Sequence, residues 1–210
     1  MNKFLISIIA LGALVIGVLS FKHLTKPVLP EQALYYKSPR NIAPFEFTDN
    51  TGKAFTNESL LGKWSLVFFG YTSCPDVCPT TLQNFNFIYD DLKGIADNTQ
   101  ILLVSVDPKR DTQEKLSKYI AYFNSEFIAL RADHGTLFPF SRNLGLMYST
   151  DAKSEEDLNY FVDHSASIVL INPEGKVIAN FKPEEQLGAI PSINGEQFTA
   201  DYEKVINLAN

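Results

Sequence analysis

Cysteine and histidine are scarce in this chain. Its 210 residues include two cysteines and three histidines. Structural zinc sites and iron–sulfur clusters normally use four protein ligands, so two cysteines would need at least two further partners. The chain offers only His23, His134 and His164 for that purpose. The shortage argues against both kinds of four-ligand site.

Positive charge is also in short supply. The chain has 18 Lys and Arg residues against 24 Asp and Glu, which gives a net charge of -6 and a pI near 5.1. This balance disfavours a nucleic-acid binder or a polybasic membrane-surface protein, and charged partners are expected to be basic. The first arginine is Arg40, which argues against an Arg-rich mitochondrial transit peptide.

A long apolar run stands near the N-terminus. Residues 4–21 are 18 consecutive uncharged residues, which as a helix cover roughly 27 Å and could cross a bilayer. No A-x-A-like cleavage site follows, so we expect an uncleaved anchor over residues 1–26 rather than a removed signal peptide. Residues 27–44 contain four prolines and little periodicity. This predicts an extended tether over residues 27–41 and one folded domain over residues 42–210.

Strands and helices alternate in the rest of the chain. The apolar run at 64–71 is typical of a strand buried on both faces, and Pro79 suits the first turn of the next helix. We predict a hairpin at 45–48 and 53–56, strands at 64–71, 101–106, 127–131, 167–172 and 176–181, helices at 79–92, 112–123, 136–146 and 196–208, and an exposed polar excursion at 149–160. This order is that of an α/β, thioredoxin-like fold with an N-terminal hairpin extension.

The two cysteines, Cys74 and Cys78, follow the strand predicted at 64–71, on the loop that leads into the next helix. Reactive groups of open α/β sheets collect at the carboxyl ends of strands. Thiolates are soft ligands that select Cu(I), zinc or iron–sulfur clusters, and copper is favoured because it tolerates three ligands. The C-x3-C spacing also permits an intramolecular disulfide, although so short a loop would stabilise the fold little. It is not the C-x-x-C spacing of a redox motif.

Three separated motifs resemble those of the Sco/SenC family: FGYTSCPDVCP at 69–79, SVDPKRDT at 105–112 and VDHS at 162–165. The resemblance covers roughly residues 40–205. It implies a copper-binding protein that assists assembly of the binuclear copper centre of cytochrome c oxidase. It also implies that Cys74 and Cys78 are thiolate ligands and that His164 is the third ligand, for Cu(I), Cu(II) or both.

The same resemblance implies a location and partners. We expect a single-pass protein of the bacterial inner membrane, with its folded domain facing the periplasm. The expected partners are the membrane, through the N-terminal helix, and the copper-bearing oxidase subunit. Another copper carrier or a thiol reductant could also bind, whereas nucleic acid is not expected.

Two classes of function stay open at this point. A metallochaperone would hold copper in an incomplete site, from which a partner removes it by ligand exchange. A thiol–disulfide oxidoreductase would instead cycle Cys74 and Cys78 between dithiol and disulfide. A peroxiredoxin-like peroxidase is a third interpretation, which the second nearby thiol and His164 disfavour.

Other polar residues are given smaller roles. With only two methionines, the chain has no Met-rich copper tract. We expect His134 in a turn and His23 at the membrane boundary. Asp76 is expected to cap a helix or to modulate the thiolates, and Asp163 to orient His164. An internal ion pair and cap are expected from Asp107, Arg110 and Asp111.

Overall fold

The computed structural model describes residues 3–24, 28–152, 154, 157, 159–184 and 190–209. Helix α1 spans Lys3–Leu24 and contains the apolar run at 4–21; the rest of the anchor predicted over residues 1–26 lies partly outside the described residues. Within the described ranges, no helix combines the length and the apolarity that crossing a membrane requires. The membrane-spanning helix stays a prediction from the sequence.

Ten strands form one large and one small sheet in the described part of the chain. They are β1 (Ala33–Asn41), β2 (Glu46–Asp49), β3 (Ala54–Thr56), β4 (Trp64–Gly70), β5 (Thr99–Ser105), β6 (Ile128–Arg131), β7 (Tyr148–Thr150), β8 (Val162–His164), β9 (Ile168–Ile171) and β10 (Lys176–Phe181). The large sheet has the order β1-β10-β9-β4-β5-β6-β2-β3, and β7 pairs with β8 in the small one. Strands β4, β5 and β6 are parallel, whereas β9 and β10 are antiparallel to their neighbours.

Helices cover both faces of the large sheet. They are α2 (Val77–Ile95), α3 (Gln113–Phe123), α4 (His134–Leu144) and α5 (Gly195–Ala209), with a short 3-10 helix at Asn57–Leu60. Strand β4 contributes to the core on both faces, since Leu66 and Phe68 pack in one apolar cluster and Val67 and Phe69 in the other. Because neither face of β4 meets water, the strand reads as a continuous apolar run rather than an alternating one.

The predicted thioredoxin-like core and its hairpin are confirmed. Strands β2 and β3 form the hairpin and join the large sheet beside β6. Helix α2 buries the face that its spacing predicts, which consists of Leu82, Phe85, Ile88, Tyr89 and Leu92. Thr112 caps α3 by accepting a hydrogen bond from the backbone N–H of Lys115 at 3.2 Å.

Residues 33–41 differ from the prediction, because they form strand β1 instead of a tether. This strand pairs with β10 at the edge of the sheet, and its register shifts between Tyr35 and Arg40. The shift spans Pro39, which lacks an N–H and is tolerated only at sheet edges and bulges. Residues 33–41 of the predicted tether therefore belong to the folded sheet.

A buried carboxylate fixes the start of β1. Asp201, in α5, accepts hydrogen bonds from the backbone N–H groups of Glu31, Gln32 and Ala33 at 2.6–3.1 Å. Its side chain is fully buried, with 0% exposure. The N-terminal part of the folded region is thus tied to the last helix.

Two further segments differ in their boundaries. Helix α4 begins two residues earlier than predicted, because Asp133 caps it by accepting from the N–H of Thr136 at 2.9 Å. His134 is therefore the first residue of a helix rather than part of a turn. The polar excursion predicted at 149–160 begins inside β7 and ends at Tyr160, which is buried.

Candidate metal centre

The two cysteines occupy the connection between β4 and α2, as predicted. Strand β4 ends at Gly70, and α2 begins at Val77. Cys74 lies in the intervening loop and is partly exposed, whereas Cys78 lies in the first turn of α2 and is 1% exposed. Both are free thiols in this structure.

Gly70 allows Cys78 to sit against the sheet. A methyl group at Gly70 would lie 2.8 Å from the Cys78 sulfur and 2.8 Å from Cδ1 of Leu103. Such separations are far inside van der Waals contact, so only glycine fits at this position without displacing its neighbours.

A buried carboxylate holds the loop that precedes Cys74. The backbone N–H and the hydroxyl of Thr72 both donate to Asp111, at 3.1 and 2.5 Å, and the Ser105 hydroxyl donates at 2.7 Å. The Asp111 side chain is fully buried. Buried carboxylates are costly unless they are hydrogen-bonded in this way, so the three donors explain why an acid is tolerated here.

His164 reaches the cysteines from β8, the second strand of the small sheet. Its Nε2 lies 3.4 Å from the Cys78 sulfur and 3.9 Å from the Cys74 sulfur. The three donor atoms all lie within 4.8 Å of one another. The structure thus brings together the three side chains that the family resemblance implies as ligands.

The ring of His164 is oriented by its backbone surroundings. Its Nδ1 contacts the carbonyl oxygen of Ser165 at 3.2 Å. A carbonyl only accepts, so Nδ1 carries a proton and donates it to this hydrogen bond, and Nε2 is the ring nitrogen that faces the sulfurs. The Tyr71 ring packs edge-on against the imidazole, with 5.9 Å between centroids. The expected partner, Asp163, is exposed, and the orienting hydrogen bond from Nδ1 is accepted by the Ser165 carbonyl instead.

The two thiols have very different acidities. A hydrogen bond from the Cys78 thiol, followed by contacts with His164 and with the backbone N–H groups of Cys78 and Asp76, lowers the pKa of Cys74 to about 4. The same hydrogen bond, together with burial, raises the pKa of Cys78 far above its ordinary value. Cys74 is therefore a thiolate at neutral pH, and Cys78 is the proton donor that stabilises it.

This donor set suits a soft, low-coordinate metal ion. Two donors that share one ion at about 2.0–2.3 Å per bond lie up to about 4.6 Å apart, so the cluster can close on an ion with small side-chain shifts. Among protein ligands, thiolates select Cu(I), and imidazole also suits copper. Because Cys74 and His164 are both partly exposed, an ion held here would be accessible from one side.

The other candidate residues lie apart from this cluster or play structural roles. The ring of His134 contacts the Tyr148 hydroxyl at 3.0 Å, and the side chain of His23 lies outside the described part of the structure. Asp76 occupies the N-cap position of α2, but its side chain makes no capping hydrogen bond. The predicted ion pair exists between Arg110 and Asp107.

Sequence reasoning missed Tyr71 and Tyr160, which pack beside the centre. Tyr160 is buried, donates to Asp107 and stacks under the Arg110 guanidinium. Tyr160 follows a run of polar residues in the sequence, so the pattern predicts a surface position for it. The one sequence feature that could have indicated Tyr160 is its position, four residues before His164.

Comparison with known proteins agrees with this site. A sequence model of the SCO1/SenC family matches residues 35–193. The SCO2-like protein RP587 of Rickettsia prowazekii (strain Madrid E) is 33% identical over 174 residues, or 83% of this chain and 84% of that protein. Copper-bound ScoI of Bradyrhizobium japonicum is 32% identical, with a TM-score of 0.64 over 79% of this chain and 99% of that one. Copper-bound ScoI of Arabidopsis thaliana is 27% identical, with a TM-score of 0.68 over 79% and 98%. The chain belongs to the SCO1/SenC family.

Proposed function

We propose that this protein binds one copper ion through Cys74, Cys78 and His164. The observation that carries the proposal is the convergence of these three donors within 4.8 Å, from segments 86 and 90 residues apart. Two solved relatives hold copper, and they match nearly their whole lengths to this chain. The thiolate pair suits Cu(I), and the added imidazole suits Cu(II).

The bound copper is cargo that the protein delivers. A three-ligand site with a partly exposed thiolate and imidazole leaves a coordination position that an incoming ligand can enter. A partner can then remove the ion by stepwise ligand exchange, without unfolding of the domain. Following the family resemblance, we assign the recipient as the binuclear copper site of cytochrome c oxidase.

Copper binding is tested by titrating the full, reduced chain with Cu(I) in competition with a chromophoric chelator, and separately with Cu(II). We expect one copper per chain. Cys74→Ser and Cys78→Ser should abolish tight binding, and His164→Ala should weaken Cu(II) binding by at least about tenfold, or roughly 1.4 kcal/mol.

His134→Ala is the matched control, because His134 is a histidine that lies outside the cluster. It should bind copper like the wild type. Wild-type affinity in the Cys74→Ser/Cys78→Ser double variant would overturn the assignment.

We also propose that residues 4–21 anchor the protein in the bacterial inner membrane, with the folded domain in the periplasm. The support is the run of 18 uncharged residues. A periplasm-active reporter fused after Asn210 should be active and should fractionate with membranes. Activity from a cytoplasm-active reporter alone would contradict the topology, and a shortened, freely soluble product would indicate a cleaved signal peptide.

A second function, thiol–disulfide exchange, is favoured by one specific observation. Cys74 is a partly exposed thiolate, and its neighbour Cys78 is a buried thiol positioned to attack a mixed disulfide. This is the asymmetry that a dithiol reductant needs. The two functions use the same sulfurs and exclude each other at any moment, because a disulfide cannot bind copper.

A further inference from the structure

One short segment contacts both halves of the proposed copper site. Residues 107–111, here named the bracket segment, follow β5 and precede α3. The copper site consists of a cysteine loop between β4 and α2 and a histidine strand, β8, that belongs to a different sheet. In the described part of the chain β8 pairs with β7 and lies outside the large sheet, so contacts other than the large sheet's ladder contribute to its distance from the cysteine loop.

On the cysteine side, the bracket segment acts through Asp111. This buried carboxylate takes two hydrogen bonds from Thr72, which lies two residues before Cys74. The Ser105 hydroxyl, at the end of β5, donates a third hydrogen bond to Asp111. The loop is therefore tied to the sheet by a charge-assisted contact, which is about twice as strong as a neutral hydrogen bond.

On the histidine side, the bracket segment acts through Asp107 and Arg110. Asp107 pairs with Arg110 and accepts from the Tyr160 hydroxyl. Arg110 donates to the Tyr160 carbonyl at 2.8 Å, and its guanidinium lies 3.7 Å from the centroid of the Tyr160 ring. Tyr160 lies four residues before His164, so these contacts fix the chain as it enters β8.

Arg110 also contacts the side chain that packs on the imidazole. Its guanidinium lies 5.6 Å from the centroid of Tyr71, and the Tyr71 ring packs edge-on against His164. Tyr71 precedes Thr72 directly. The cysteine loop and the histidine strand thus meet at Tyr71, with Arg110 stacked beside both tyrosines.

We infer that the bracket segment is a positioning element that sets the distance between His164 and the two sulfurs. Arg110 and Asp107 position His164 through Tyr160 and Tyr71, and Asp111 positions the sulfurs through Thr72. The inference rests on the proposed copper site, but the positioning itself exists in the metal-free protein. The two sides meet at Tyr71, but Arg110 contacts Tyr160 and Asp111 contacts Thr72, so substitutions at Arg110 and at Asp111 or Thr72 weight the two sides differently.

Arg110→Lys tests the histidine side. Lysine keeps the charge beside Asp107 but loses the planar stack and the fixed fork of donors. We expect Cu(II) affinity to fall about 10- to 100-fold, as for other residues that orient a metal-binding histidine. Cu(I) affinity should fall less than about threefold, because both sulfurs stay in place. The Cu(II) absorption and electron paramagnetic resonance spectra should change as well.

Asp111→Ala tests the cysteine side, and Thr72→Val is its milder companion in case the first variant does not fold. Thr72→Val removes only the hydroxyl that donates to Asp111. Both variants should weaken Cu(I) and Cu(II) binding together, by about tenfold or more for a lost hydrogen bond to a charged group.

Asp201→Ala is the matched control. Asp201 is as buried as Asp111 and also accepts from backbone N–H groups, but it lies in α5 and fixes β1. It should lower the melting temperature without changing either copper spectrum. Bracket variants that behave like Asp201→Ala, with lower stability and wild-type copper spectra, would overturn the inference.

A metal-free readout separates this inference from the proposed function. In the apo, reduced full chain, Arg110→Lys should shift the NMR signals of the His164 ring, and Thr72→Val should change the alkylation rate of Cys74 at fixed pH. If the wild type binds no copper but these changes occur, the proposed function fails and the positioning role stands. Unchanged ring signals and alkylation rates would refute the positioning role whatever the copper result.

Discussion

At the scale of single residues, the proposed site depends on an unequal pair of sulfurs. Cys78 is buried in the first turn of α2, and its thiol donates a hydrogen bond to Cys74, which is partly exposed. The hydrogen bond keeps Cys74 charged and Cys78 neutral. An incoming metal ion therefore meets one ready thiolate and one thiol that must lose its proton on binding, so copper uptake should release at least one proton.

The depressed pKa of Cys74 predicts how the metal-free protein responds to pH. The thiolate is the reactive form, and the pKa of Cys74 lies at about 4 instead of its ordinary value near 9. Alkylation of Cys74 by iodoacetamide, followed by mass spectrometry, should therefore keep a nearly constant rate from pH 8 to about pH 5 and fall only as the pH approaches 4. In Cys78→Ala the donor is lost, and the fall should move to higher pH. A wild-type rate that already falls below pH 8 would contradict the hydrogen-bonded pair.

At the scale of secondary-structure elements, the site depends on how closely α2 approaches β4. The Cys78 sulfur and Leu103 in β5 occupy the space that a side chain at Gly70 would need. Gly70 is the last residue of β4, so the contact fixes the first turn of α2 on the carboxyl end of the strand. The glycine in FGYTSCPDVCP is thus part of the packing that places the buried sulfur.

Gly70→Ala should disturb this contact. The added methyl group would push Cys78 and Leu103 aside, so we expect a loss of about 1–3 kcal/mol in the free energy of unfolding and weaker Cu(I) binding. Gly94→Ala in α2 is the control, since nothing lies within 4 Å of its added methyl group, and it should be neutral or stabilise by up to about 1 kcal/mol. Urea denaturation and Cu(I) competition measure both effects. If Gly70→Ala and Gly94→Ala had the same free energy of unfolding and the same Cu(I) affinity, the close approach of α2 to β4 would not be needed for the site.

The elements differ in how far the sequence predicts them. Strands β4 and β5 and helix α2 are set by long apolar patterns and by Pro79, which act locally, and the prediction of each is confirmed. Strand β1 was missed because its residues carry Lys, Arg and Pro39, and it is held by distant pairing with β10 and by Asp201. Strand β8 has three residues, too few to show a period of two.

At the scale of the whole molecule, the fold converts distant residues into one site. The two sheets and the bracket segment bring His164 within 3.4 Å of a sulfur 86 residues away. Neither spacing nor burial marks His164 in the sequence as a partner of the cysteines; the resemblance of VDHS to a family motif did so. The cysteine pair was predictable from its place after β4, but its asymmetry was not, because it arises from burial and hydrogen bonds that form only in the folded chain.

Copper delivery and thiol exchange can be distinguished in the whole protein, because only copper delivery needs His164 in β8. In a strain that lacks the wild-type protein, His164→Ala keeps both thiols and should impair cytochrome c oxidase activity nearly as much as Cys74→Ser. The physical reason is that removal of one of three ligands leaves a two-coordinate thiolate site, which can keep Cu(I) but suits Cu(II) poorly. Oxidase activity is compared at limiting copper and equal protein level, with His134→Ala as the control. If His164→Ala retains near-normal activity while each cysteine variant fails, the dithiol is the working part, and the protein acts as an oxidoreductase.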